Sequence, residues 1–236
     1  MKTITLTLAV LCSSYFAQAQ FHVGIKAGAG GSYHSKNNTP NIDAHNGHDN
    51  YFVGSKASYY AGISADWQLS KHFSVQPSLV YSAKGGSTKE RIWNTGVTYN
   101  TSTQSGEDRL NYLELPVNLI FRQQLGKGHS FIGAGLYEAR YLNGSKDGKF
   151  QIRELPKMKE QPPMDASAEF VGPLGTLYPG KQADAKHWDT GANFTAGYEF
   201  PGGLQLALNY SLGFQETFYG KNRAYSVSVA YYLHKK

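Results

Sequence analysis

Cysteine is all but missing: the 236-residue chain carries one, Cys12. It lies inside an N-terminal segment that reads as a cleaved signal, so the expected mature chain has none. A disulfide framework and a cysteine-based metal site are thereby excluded. Lipidation of Cys12 is disfavoured, because bulky Leu11 stands where an acceptor cysteine needs a small neighbour. Long apolar runs are also missing. Met1-Lys2 is a short positive start, Ile4 to Phe16 a mostly apolar core, and Ala17-Gln18-Ala19 a small-x-small cleavage pattern. Residues 1–19 are therefore expected to be a secretory signal, with the mature chain starting at Gln20. An anchor helix needs roughly 18 or more apolar residues, and Gln18 and Gln20 interrupt this one too early.

Several further absences narrow the function. No phosphate loop, dinucleotide fingerprint or G-x-S-x-G nucleophile motif is present, so no cofactor and no enzyme activity are expected. The formal net charge is +6, but no basic run exceeds the terminal Lys235-Lys236. Scattered solvated charge is the reading, and no nucleic-acid partner is expected. Nor does any segment beyond the signal show a convincing 3.6-residue period.

What is present is glycine, at 26 residues, and tyrosine, at 17, within a hydrophobic fraction of only 40%. Mean hydropathy is −0.45, with no bulk membrane signal. A membrane barrel escapes such averages because its strands alternate. Alternation is what the chain shows. In Phe21–Gly31, residues Phe21, Val23, Ile25, Ala27 and Ala29 oppose His22, Gly24, Lys26 and Gly28. The same period recurs over about 57–69, 73–84, 110–121, 130–142, 188–200, 204–214 and 224–233. The segment SFIGAGLYEARYL is ambiguous, with both faces apolar at first. The parity holding Glu138 and Arg140 is placed inward there.

Eight strands of about ten residues follow. Short connections after strands two, four and six alternate with long ones at about 32–56, 85–109, 143–186 and 215–223. The expected fold is all-β: an eight-stranded antiparallel up-and-down transmembrane barrel with short periplasmic turns and long extracellular loops. A ten-residue strand at about 3.3 Å per residue, tilted about 45°, spans roughly 23 Å, close to the apolar band of such barrels. Tyr59, Trp67, Phe73, Tyr81, Phe121, Tyr198, Phe200, Phe214, Tyr225 and Tyr231 are expected in aromatic girdles against outer-membrane lipid. A soluble eight-stranded barrel with an apolar interior would invert every strand. The Gly- and Ser-rich polar parity and the long alternate loops weigh against it.

These segments resemble a known family. FHVGIKAGAGGS, YYAGISADWQLSKHFSVQPSLVYSAKGG, LNYLELPVNLIF, SFIGAGLYEARYLNG and DTGANFTAGYEF are similar to the PorT-like outer-membrane β-barrels of the Bacteroidetes. The most specific pieces are Tyr112-Leu113-Glu114-Leu115-Pro116 and Gly133-Ala134-Gly135. The resemblance implies an eight-stranded outer-membrane barrel but no single activity; a secretion-accessory role is suggested only by the family's namesake. The C-terminus departs from the pattern, since Tyr231-Tyr232-Leu233 is followed by His234-Lys235-Lys236. Pro77 and Pro116 fall inside strands, where a local bulge is expected.

Site residues divide by face. The inward parity carries Lys26, Asp66, Lys84, Glu114, Glu138, Arg140 and Glu199, expected as a salt-bridged plug because an eight-stranded interior holds only its own side chains. Its functional alternative is a narrow gated ion path. Asp43, His45, His48 and Asp49 offer metal donors at no zinc-like spacing, so no metal site is expected. Phe170, Val171, Leu174, Leu177 and Tyr178 are apolar for a water-facing loop, and mark a mouth cover or a protein-partner surface. A lipid-modifying enzyme would need Ser32, His187 and Asp189 to converge at the rim. A structural, adhesion or partner-binding role through the extracellular loops ranks first.

Overall fold

The computed structural model describes residues 20–35, 41–42, 46–94, 99–155, 164–173, 187–217 and 220–233. The expected signal at 1–19 lies outside them. The strands are β1 (Gln20–Ser35), β2 (Asn41–Ile42), β3 (Asn46–Gln68), β4 (Phe73–Asn94), β5 (Tyr99–Leu125), β6 (Gly128–Leu155), β7 (Met164–Pro173), β8 (Trp188–Glu199), β9 (Leu204–Glu216) and β10 (Lys221–Tyr232). Eight of them close a ring in the order β1-β10-β9-β8-β6-β5-β4-β3, with β1 pairing both β10 and β3. All neighbours run antiparallel. Outside the ring, β2 pairs with β3 and β7 with β6.

Register fixes the tilt. Partners followed once round the ring lead from Ser32 through Ala224, Ser211, Asn193, Gly135, Asn118 and Gln76. The Gln76 amide donates to Asp66, whose ladder partner on β1 is His22. The circuit thus returns to β1 displaced from Ser32 to His22. With about 3.3 Å per residue and about 4.8 Å between strands, that stagger corresponds to a strand tilt of about 40°.

The short turns have local causes. Gly126, with φ of 63°, lets β5 and β6 join through Gly126-Lys127 alone. Gly202 and Gly203, with φ of 91° and 87°, turn β8 into β9. Positive φ is the conformation that tight hairpins demand and that glycine adopts without steric cost. Between β3 and β4, the Ser70 hydroxyl accepts the His72 and Phe73 amides.

The two faces separate as the alternation requires. Ile25 is 68% exposed, Leu208 66% and Leu119 51%, whereas Asp66 and Ser74 on the other parity are fully buried. Apolar side chains therefore cover the outside and polar ones fill the lumen, the reverse of a soluble barrel. Outward aromatics gather at both ends of this band. Phe21, Phe73, Phe121, Phe200 and Tyr231 ring the short-turn end, and Tyr59, Tyr81, Trp188, Phe214 and Tyr225 the other. Phe73 and Phe121 touch across β4 and β5, with ring centroids 5.3 Å apart.

Three expectations need correction. Pro77 and Pro116 carry no bulge: Pro77 opposes Val117 and Pro116 opposes Tyr137 with no register shift at either place. Register shifts fall instead at Phe52/Gly54, Ser55/Tyr59, Asn111/Tyr112 and Lys221/Arg223, all towards the long-connection end. Second, much of what reads as long loop is strand, since β3 starts at Asn46, β4 runs to Asn94, β5 starts at Tyr99 and β6 runs to Leu155. Those outer segments alternate polar with polar, which leaves no hydrophobic period to read. Third, Glu138 and Arg140 face outward and are exposed, while Tyr137 and Ala139 are buried. Bulk decides this parity. Phe131 and Tyr137 fill lumen space that the inward glycines leave open, and a Cβ on Gly191 would sit 2.5 Å from the Tyr137 ring. Glu138 and Arg140 meanwhile lie level with Thr190 and Trp188, at the outer girdle where the apolar band ends.

Candidate functional site

Inside the barrel, charges stack in layers. The innermost is built on Arg122, near the turn end of β5. Its Nη2 donates to Asp66 Oδ1 at 2.6 Å, and its Nε lies 3.1 Å from Glu199 Oε2. Gln76 donates to Asp66 at 3.0 Å and Gln205 to Glu199 at 2.8 Å. The Tyr232 and Ser64 hydroxyls join at 2.9 Å, and Ser78 donates to Ser64. Beside them Ile120, Phe131 and Ala207 form a small apolar cluster. A guanidinium suits this place, because its planar fork serves two carboxylates at once.

Higher up, Lys84 Nζ meets Glu114 Oε2 at 2.7 Å, and Ser82 donates to the same oxygen. The Lys84 ammonium also lies 4.5 Å from the centroid of Tyr137. Tyr137 in turn donates to Asp189 Oδ2 at 3.1 Å, which also accepts from Asn222 at 2.8 Å. Above this, His34 Nε2 bonds Asp108 Oδ2 at 2.7 Å. Ser32 donates to the Gly85 carbonyl and accepts the Gly85 amide, tying β1 to β4.

Of the charges expected inside, the structure places Lys26, Asp66, Lys84, Glu114 and Glu199 in the lumen and joins four of them in ion pairs. Glu138 and Arg140 are outside it, the Arg140 guanidinium lying 6.0 Å from the Trp188 ring centroid. Arg122, Asp108 and His34, which the expected set lacks, are also buried in the lumen, as is Asp189, expected at the rim. For Arg122 a signal existed: it shares the parity of Glu114, one residue past the expected end of its strand. The three residues an esterase would need are engaged separately. Ser32 is held by Gly85, Asp189 by Tyr137 and Asn222, and His187 lies edge-on to Tyr141. Of the metal donors considered, Asp43 and His45 lie outside the described residues, and no group of three or more ligating side chains occurs among those described.

A second feature stands above the rim. Strands β3 to β6 run 23, 22, 27 and 28 residues, against 12, 13 and 12 for β8 to β10. Pairing continues to Asn46↔Asn94, Asn94↔Asn100 and Tyr99↔Leu155. From Leu113, the outermost outward-facing apolar residue on β5, to Tyr99 the strand runs about 45 Å along its own length at about 3.3 Å per residue. One side of the barrel therefore carries a raised sheet, bordered by β2 and β7. Phe170 and Val171 lie on β7, opposite Gly148 and Asp147. Leu174, Leu177 and Tyr178 lie outside the described residues.

The family described as "Outer membrane protein beta-barrel domain" matches residues 16–219. No curated protein matches the sequence. Among solved structures the chain is similar to Ail, the attachment invasion locus protein of Yersinia pestis, solved with the heparin analogue sucrose octasulfate, at 10% identity and a TM-score of 0.37, over 91% of this chain and 99% of that one. It is also similar to the translocator domain of the autotransporter NalP from Neisseria meningitidis, at 11% identity and a TM-score of 0.26, over 98% and 95% of the two chains. The outer membrane channel DcaP of Acinetobacter baumannii follows at 11% and 0.22, over 91% and 97%.

Proposed function

The chain belongs to the outer membrane protein β-barrel domain family, and on that premise we propose that it is a non-enzymatic surface protein that binds a partner through its raised outer sheet. The observation that carries this reading is the unequal strand length, from 12 residues in β10 to 28 in β6. A barrel that only spanned the bilayer needs about 9–11 residues per strand. The excess is concentrated on adjacent strands, on the side that faces outward from the cell in such barrels. Structure maintained this far above the membrane presents a surface, and exposed connecting segments on a rigid scaffold are the usual place for recognition.

Delivery through a cleaved secretory signal at 1–19 belongs to the same reading, as does contact with outer-membrane lipid around the band. In this reading the apolar residues expected for partner contact are Phe170, Val171, Leu174, Leu177 and Tyr178. The narrower kinship with PorT-like barrels, carried by Tyr112 to Pro116 and Gly133 to Gly135, would make the partner a component of a secretion apparatus.

A gated channel is the second reading, favoured by a cavity between the lumen's charge layers. The two part on experiment. Replacing residues 90–104 by an Asn-Gly turn shortens the β4–β5 hairpin and leaves the ring intact. Cells displaying the intact and shortened chains are compared for retention on immobilised matrix glycoproteins and on a lawn of the same strain. The surface reading expects retention by the intact chain alone, with both chains silent in planar-bilayer recording. Equal retention, or steady unitary conductance, overturns it.

A further inference from the structure

Between the Arg122 layer and the Tyr137 layer the lumen widens into a cavity of about 50 Å³. One water requires roughly 10–15 Å³ on this measure, so the cavity has room for a small ion with a partial shell. Its wall carries the hydroxyls of Ser58, Tyr60 and Ser226 and the amide of Asn193, while Ser82 and Asn209 also line it but donate to Glu114 and to Ala207 and Ser228. Ser211 donates to Asn193 Oδ1 at 2.7 Å, which leaves the Asn193 amide protons for the cavity.

Three charged side chains line it: Lys26, Lys84 and Glu114. Glu114 is taken, since Oε2 receives both Lys84 and Ser82. Among the described residues, no carboxylate pairs with the Lys26 ammonium within 4 Å. Of the charged groups that line the cavity two are cations and one is an anion, and the next carboxylate, Asp189 near Lys84, is held by Tyr137 and Asn222. An enclosed charge without a counter-charge costs several kcal/mol in a low-dielectric surround. A neutral occupant would leave that cost in place, and a cation would raise it.

We propose that this cavity binds a small monovalent inorganic anion of the halide class, held by Lys26 and by the hydroxyl and amide donors of its wall. The site is independent of the surface role proposed above. In the cell the abundant ligand of this class is chloride.

The test uses the full chain folded in detergent, with heat-shifted gel migration as the check that each variant is folded. Chloride-35 NMR reads excess line broadening over a gluconate-matched blank, and bromide-soaked crystals read an anomalous peak. The folded wild type is expected to broaden the chloride line and to show bromide between Lys26 and Asn193. Lys26→Met is expected to lower that broadening about tenfold, because the one uncompensated charge is gone. Glu114→Gln, which adds one net positive charge at the cavity, is expected to broaden it further. If Lys26→Met does not fold, the Glu114→Gln comparison and the bromide peak decide. Equal broadening by folded wild type and Lys26→Met would mean surface chloride only and overturns the proposal. A cavity without bromide, or a Glu114→Gln response no larger than wild type, does the same.

Discussion

The lumen holds its charges in two different ways. At the turn end, Arg122 sits between Asp66 and Glu199, and Gln76 and Gln205 each donate to one of those carboxylates. At mid-height, Lys84 and Glu114 form a single pair beside a cavity, with Lys26 across it. One layer has more anionic charge than cationic and is packed with amide donors. The other sets Lys26, Lys84 and Glu114 around a hollow, with Asp189 held beside it by Tyr137 and Asn222. Closure of a narrow barrel therefore comes from a forked cation bonded on two sides, and a point-like ammonium leaves space that something else must fill.

That contrast can be broken in order of expected effect. Arg122→Met should do most damage, since it strands Asp66 and Glu199 together. Removing one partner of a buried pair costs about 3–5 kcal/mol, and the urea midpoint of the heat-shifted form should fall accordingly or the form should be lost. Lys84→Met should cost less, about 1–3 kcal/mol, because Ser82 and the charge of Lys26 across the cavity still compensate Glu114. A larger loss than for Arg122→Met would reverse the ranking of the layers. Tyr137→Phe removes one hydrogen bond to Asp189 and should cost about 1 kcal/mol, with Asn222 still donating. Arg140→Ala should leave the midpoint unchanged within error, because the side chain is exposed at the outer girdle. A clear drop would return Arg140 to the lumen.

The last of these marks where sequence alone misled. The band was legible almost throughout: Phe21 to Ala29, Tyr59 to Leu69 and Leu204 to Phe214 alternate without a break, and period two is sufficient wherever one face meets lipid. Glu138 and Arg140 face outward although their charge suggests the lumen, because side-chain volume sets this parity. At that height the outward face has left the hydrocarbon, and charge no longer discriminates between the faces. Bulk does, and Phe131 with Tyr137 carried that information. The lumen network was half legible. Parity identifies Asp66, Lys84, Glu114 and Glu199 as inward, but which strands face each other across the lumen depends on the stagger of the ring. That quantity is written in pairings between distant segments and in no single one. The raised sheet was invisible for another reason: its segments alternate polar with polar, so they lack the contrast that reveals the others.

The raised sheet and the short turns lie at opposite ends of the barrel, and one experiment reads both. Single cysteines are placed at Ser102, on the outer part of β5, and at Lys71, in the short turn between β3 and β4. Intact cells are treated with a membrane-impermeant maleimide. Labelling of Ser102→Cys but not Lys71→Cys, with both labelled once the outer membrane is permeabilised, is the result predicted here. Labelling of Lys71→Cys in intact cells, with Ser102→Cys protected until permeabilisation, would contradict a barrel that raises its long strands at the cell surface.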